Sequence, residues 1–292
     1  MSVGAPLRAL LGDYPVTRAL KEGRVRSPRV ELDFAPLATP ATAFKRVVRD
    51  LEFDVAELAL VTFLMARDRG APLALLPAVL VARFQHPLLV QAAARRAFAP
   101  RELDGRRVGL RSYSVTTGMW IRSLLAEDYG VDCARVTWVS FEEAHVADYS
   151  DPPNVERAPA GQDMVAMLLA GELDAAVVAE RALPDARLKS VIPDPAVAAE
   201  AWRARHGALQ INHMVTVKKS LLRSDPDAVR EVWRLLAGSR AAAGAQELNP
   251  FGWEANRRNL EVALERIYRQ GLVSRRYAVD ELIDDTTRSL NA

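Results

Sequence analysis

The chain of 292 residues has little of what marks a specialised class. Its one cysteine, Cys133, excludes an intrachain disulfide framework and reads as a partly buried filler. No Cys or His pair has structural-zinc spacing. No apolar run approaches a membrane span. The N-terminus MSVGAPLRALLGDY lacks the basic segment and apolar stretch of a secretory leader. The expectation is a cytoplasmic protein with no membrane insertion. Net charge is only +2, and no basic block is interleaved with aromatics, so nucleic acid is not an expected partner. A P-loop, a GxGxxG turn and a GxSxG elbow are all missing, so no cofactor is expected.

What is present is a globular composition, 50% hydrophobic and 26% charged, of a length suited to about two domains. Short apolar runs alternate with helical patterns, which argues for an α/β class with largely parallel sheets. Strands are expected at Leu7–Leu11, Val30–Phe34, Phe53–Leu60, Leu73–Val81, Val108–Leu110, Val136–Phe141, Ala175–Val178 and Gln210–Val217. Helices are expected after Thr39-Pro40, over Thr62–Arg69, from Asp163 to Gly171 and after Ser224-Asp225-Pro226. An alanine-rich helix is expected at 241–245. Asp148–Pro159 is a proline-rich excursion, and Pro184–Pro195 reads as a linker. This order suggests a discontinuous first lobe, 1–88 with 205–292, and an inserted second lobe, 89–204. Ligands in such sheets sit beyond the carboxyl ends of strands.

The stretch Leu103–Gly130 carries the strongest local signal. It reads as a strand, a hydroxyl-rich turn (Ser112 to Gly118) and an amphipathic helix stopped at Gly130. The start of such a helix presents unpaired N–H groups and the positive end of its dipole, a place for a carboxylate. An ordinary N-cap is the alternative. Ser114, Thr116 and Thr117 are the binding candidates here. Glu142, Glu180 and Arg181 follow strand ends in the same lobe. In the first lobe Asp13, Tyr14, Arg18 and Arg83 are candidates, the arginines as carboxylate partners. His86 and His213 lie at the two expected crossovers and could exchange protons near neutral pH. Glu57 interrupts an apolar strand, and a buried carboxylate needs a partner. His145 and His206 read as surface residues, and Arg122 as a surface helix charge. His86, His213 and Glu57 could together hold a divalent metal, but no local motif supports it.

Several segments together resemble one family. They are Gly12-Asp13-Tyr14 with Thr17-Arg18-Ala19-Leu20, Glu52 to Leu58, Arg67-Asp68-Arg69-Gly70 and Arg83-Phe84-Gln85-His86. Ser114 to Leu125, Phe141-Glu142-Glu143, Gly171 to Ala175 and His213 complete the set. In order and over most of the chain, they are similar to the 4,5-dihydroxyphthalate decarboxylases. Gln85 departs from the arginine usual before the crossover histidine. The resemblance implies a type II periplasmic-binding-protein-like fold, two α/β lobes joined by two hinge crossovers with a ligand cleft. It also implies loss of a carboxylate from a dihydroxylated aromatic dicarboxylate; for that chemistry His86 or His213 is the expected proton donor, with Glu57 orienting a histidine or binding a ring hydroxyl. A non-catalytic solute-binding protein for a small carboxylate or aromatic acid is the other reading. Either way the partner is a small anionic ligand, and the oligomeric state stays open.

Overall fold

Alternating short apolar runs and helical patterns fold into two α/β units, Met1–Arg83 with Ile211–Ala292, and Phe84–Gln210. The computed structural model describes residues 5–244 and 247–291. Residues 1–4, where the leader was sought, and Ala245, the end of the alanine-rich run, lie outside them. The chain changes unit at 83/84 and at 210/211, where 88/89 and 204/205 were expected.

Strand β1 (Leu7–Leu10) leads into α1 (Pro15–Lys21), with Pro15 at its first position where a missing N–H costs nothing. β2 (Leu32–Phe34), α2 (Phe44–Arg49), β3 (Val55–Ala59), α3 (Leu60–Asp68) and β4 (Leu73–Ala82) follow. All five residues of β3 are buried, which explains its nearly unbroken apolar run.

The second unit begins with β5 (Leu89–Ala92) and β6 (Arg107–Leu110). Next come α4 (Thr116–Tyr129), β7 (Thr137–Ser140), β8 (Val155–Arg157), α5 (Met164–Ala170) and β9 (Ala175–Val177). β10 (Leu188–Ser190) and α6 (Pro195–His206) close it. Its sheet has the order β10-β5-β9-β6-β7-β8. Strands β9, β6, β7 and β8 run parallel, so their carboxyl ends share one edge. The expected linker in fact contains β10 and leads into α6. That helix buries only Ala199 and Trp202, so no apolar stripe announces it. Trp202 holds it down, packing edge-on against Trp120 at 5.8 Å and Phe84 at 6.1 Å.

The chain then returns to the first unit as β11 (Ile211–Lys218), followed by α7 (Lys219–Ser224), α8 (Pro226–Ala242) and α9 (Trp253–Arg269). β11 enters antiparallel between β3 and β4, giving the order β2-β1-β3-β11-β4. Asp225 caps α8, accepting from Ala228 N at 2.9 Å. Val229, Val232, Trp233 and Leu236 of α8 are buried in the core over this sheet. Each such side chain contributes about 1.5–3 kcal/mol by leaving water. Among the described residues no helix is long and apolar enough to cross a membrane.

Candidate active site

The insertion of β11 beside β3 sets the central contact of the first unit. Glu57 pairs with Val215 in register, and His213 pairs with Ala59. Two residues apart on β11, Val215 and His213 point to the same face, so His213 is the diagonal neighbour of Glu57. Its Nδ1 lies 2.6 Å from Glu57 Oε1. The same oxygen accepts from the Tyr14 hydroxyl at 2.7 Å. The other oxygen accepts from Gly12 N–H at 2.9 Å. Glu57 is fully buried, and three donors offset its desolvation.

The turn after β1 explains why those donors are in place. Thr17 Oγ1 donates to Gly12 O at 2.6 Å and accepts from Tyr14 N–H at 3.0 Å, locking the turn at the start of α1. A Cβ on Gly12 would sit 2.5 Å from the Tyr14 ring, so glycine is what lets the ring lie across the turn. Burial first, then the charge and hydrogen bond of Glu57, push the Tyr14 phenol far above its usual range, against an opposing effect from Arg83. Tyr14 is therefore a permanent donor to Glu57. Phe44 packs edge-on against the His213 ring at 5.2 Å. Because Glu57 accepts from Nδ1–H, that proton is held in place and Nε2 is left to exchange protons. Nε2 makes no hydrogen bond among the described residues, and the His213 side chain is 18% exposed.

The remaining candidates of this unit are arranged differently. Asp13 and Arg18 form an exposed pair at 3.1 Å, worth no more than about 1 kcal/mol. Arg83 lies close enough to Tyr14 for its charge to favour the phenolate.

In the second unit the hydroxyl turn sits at the carboxyl end of β6. Ser112, Ser114 and Thr116 are buried, and Ser112 Oγ lies 3.4 Å from Ser114 Oγ. The N-cap of α4 is Val115, and no side chain caps the helix, so these hydroxyls are not ordinary caps. Thr117 is half-buried in the first turn. Glu142, Glu180 and Arg181 are exposed beyond β7 and β9. Between them stands Arg111, which the sequence reading passed over. It follows β6 as directly as Glu142 follows β7's end region, and the same rule of charges after buried strands would have found it. Its guanidinium lies 3.8 Å from Glu142. Burial depresses its pKa; Glu142 opposes that and Arg181 adds to it.

His86 belongs to this second unit and is fully buried. Neither ring nitrogen has a hydrogen-bond partner among the described residues. Burial lowers its pKa to about 4, with Asp128 opposing and Arg205 assisting. Three surface expectations are corrected. Arg122 is 2% exposed, its guanidinium stacked 3.7 Å from the Tyr113 ring centre. His145 is buried as well. His206 is half-buried against the Trp202 ring, 4.5 Å away. Cys133 is partly buried, and burial raises its thiol to about 11.

Among the described residues, no group of three or more His, Cys, Asp or Glu side chains is placed to hold a metal ion. Glu57 does not fit as a ligand, because three donors already engage its two oxygens.

No family model matches the chain. A curated 4,5-dihydroxyphthalate decarboxylase from Comamonas testosteroni is 28% identical over 240 residues, covering 75% of this chain and 70% of that protein. Another of the same name, from Pseudomonas putida, is 30% identical over 179 residues, covering 59% of this chain and 69% of that protein. Among solved structures, the alkanesulfonate-binding protein SsuA of Xanthomonas axonopodis pv. citri, bound to MOPS, superposes with TM-score 0.65. The match has 14% identity and covers 97% of this chain and 99% of that one. The periplasmic aliphatic sulphonate binding protein SsuA of Escherichia coli gives 0.62 at 12% identity, over 96% and 97%. At those identities the likeness shows the fold alone, the periplasmic-binding-protein fold with two α/β lobes. The relatives in sequence supply the rest: the chain belongs to the 4,5-dihydroxyphthalate decarboxylase family.

Proposed function

We propose that the protein is a carboxy-lyase acting on a 4,5-dihydroxyphthalate-like substrate, with His213 as the proton donor. The observation that carries this reading is the buried Glu57 carboxylate, which binds His213 Nδ1 at 2.6 Å and leaves Nε2 for chemistry. In the reaction the imidazolium form of His213, its Nδ1–H held by Glu57, gives the Nε2 proton to the ring carbon bearing the carboxylate. The ring hydroxyl para to that carbon supplies the electron density. The C–CO2 bond then breaks, its electron pair restores the aromatic ring, and carbon dioxide leaves. The product is 3,4-dihydroxybenzoate, one proton is consumed, and water reprotonates His213. Positioned proton transfer of this kind contributes about 10²–10⁴-fold. His86 is less suited to the role, because burial keeps it neutral down to about pH 4.

Glu57 holds Nδ1–H and stabilises the imidazolium of His213, and Tyr14 and Gly12 fix Glu57. The test is carbon dioxide release from 4,5-dihydroxyphthalate by the full chain, with the His213→Gln variant alongside. Release that falls at least about 100-fold in His213→Gln supports the reading. Absence of turnover across hydroxylated phthalates and benzoates, with or without divalent metal, refutes it. Tight binding of those acids without turnover would instead favour a carrier, as the SsuA fold permits.

A further inference from the structure

Three neighbouring parallel strands of the second unit each deliver a charged residue at the same edge. β9, β6 and β7 are adjacent in the sheet, and they are followed by Arg181, Arg111 and Glu142 respectively. Carboxyl ends of parallel strands are where such sheets bind ligands. Glu142 and Glu180 match the two guanidiniums in number, yet among the described residues the one ion pair joining these four groups is Arg111–Glu142. Even that pairing is loose, because Arg111 Nε and Glu142 Oε2 are 3.8 Å apart, beyond hydrogen-bond reach. Arg181 makes no ion pair among the described residues. The buried hydroxyls of Ser112 and Ser114 follow Arg111 directly. A half-desolvated cation with a distant counter-ion gains most from an anion that brings its own oxygens.

We propose that Arg111 and Arg181 together bind the carboxylates of an aromatic dicarboxylate, so that this edge of the second unit selects dicarboxylates over monocarboxylates. The proposal rests on the decarboxylase reading only in naming an aromatic dicarboxylate as the ligand. A planar guanidinium meets a carboxylate with two parallel N–H donors, so arginine at this position is not interchangeable with lysine.

Calorimetric titration of the full chain with phthalate and with benzoate tests it, since these differ by one carboxylate and carry no hydroxyl. Wild type is expected to bind phthalate at least about tenfold more tightly than benzoate. Arg111→Gln is expected to bring the two within about threefold of each other, through loss of phthalate affinity alone. Arg181→Gln, at an exposed position that folding tolerates, should shift the ratio the same way, and Glu142→Gln should raise phthalate affinity. No preference in wild type, or an undiminished preference in both arginine variants, overturns the proposal. Carbon dioxide release measured in parallel separates the two ideas. Preference without turnover defeats the decarboxylase reading alone, and turnover without preference defeats this inference alone.

Discussion

Replacing Glu57 by glutamine keeps the shape of the side chain and removes one acceptor. The native carboxylate accepts from Gly12 N–H through Oε2, and from Tyr14 Oη and His213 Nδ1 through Oε1. Glutamine has two arrangements, and both fail. With its oxygen toward Gly12, its NH2 faces His213 and can be satisfied only if Nδ1 gives up its proton. That leaves a neutral imidazole with Nδ1 accepting from the amide, and the imidazolium that donates from Nε2 loses the carboxylate that stabilised its Nδ1–H. With its oxygen toward His213, its NH2 meets the Gly12 N–H, and two donors oppose each other in a fully buried place. An unsatisfied buried donor costs about 1–3 kcal/mol.

The first arrangement avoids that cost at the expense of the imidazolium. Glu57→Gln is therefore expected to stay folded, about 1–3 kcal/mol less stable. Its melting temperature should fall by roughly 2–4 °C per kcal/mol. The chemical step should suffer more. A serine protease whose histidine loses its carboxylate partner in an Asp→Asn change falls about 10⁴ in kcat. A fall of about 10²–10⁴ in kcat, with KM changed less than about threefold, is expected here. Steady-state carbon dioxide release and thermal unfolding on the same preparation measure both. A folded Glu57→Gln protein with wild-type kcat would refute the role given to the Glu57–His213 pair.

Gly12→Ala puts a methyl 2.5 Å from the Tyr14 ring. A loss of about 1–3 kcal/mol in urea unfolding is expected, with activity reduced because Tyr14 must leave Glu57. His86 has a folded pKa of about 4, below its ordinary value of 6.5. The unfolded state then binds more protons between those values, so the stability this group contributes is full above pH 6.5 and is lost as pH falls toward 4. Discounted for screening, the loss is about 1–2 kcal/mol. His86→Leu should flatten that part of the urea-stability profile, and an unchanged slope would contradict the assignment. Asp68 accepts from Ser274 N–H, Ser274 Oγ and Tyr277 Oη at 2.8–2.9 Å, so Asp68→Asn should cost about 1–3 kcal/mol in stability and leave kcat unchanged.

Much of the first unit's site was legible because each of its members breaks a local rule. Glu57 is a charge inside an apolar strand, His213 a titratable ring inside another, and Gly12-Asp13-Tyr14 a turn where β1 ends. What could not be read was their pairing. Glu57 and His213 are 156 residues apart, and only the antiparallel entry of β11 between β3 and β4 makes them diagonal neighbours. Arg122 and α6 were misread for the opposite reason. An arginine two turns into a helix looks solvated until Tyr113 and Trp138 close over it, and α6 is fastened by one tryptophan rather than by a stripe.

The family-like segments also contain two kinds of acid that look alike in sequence. Asp68 and Asp174 fasten loops. Asp174 takes Arg106 at 3.0 Å and the backbone of Arg107 at 3.0 Å, and Asp68 takes Ser274 and Tyr277. Glu57 satisfies the same demand for donors, and burial alone does not set it apart. The difference lies in what the donor can do next. Seryl, tyrosyl, guanidinium and peptide donors end the chain of hydrogen bonds at neutral pH, because none of them readily takes up or releases a proton there. An imidazole donor does not end it, since fixing Nδ1 defines the state of Nε2. A buried carboxylate whose partner is a histidine with its second nitrogen open is thus a device for chemistry, and one whose partners are end-stopped is a staple. Asp68→Asn and Glu57→Gln separate these cases: both lower stability by a similar amount, and only the second should lower kcat.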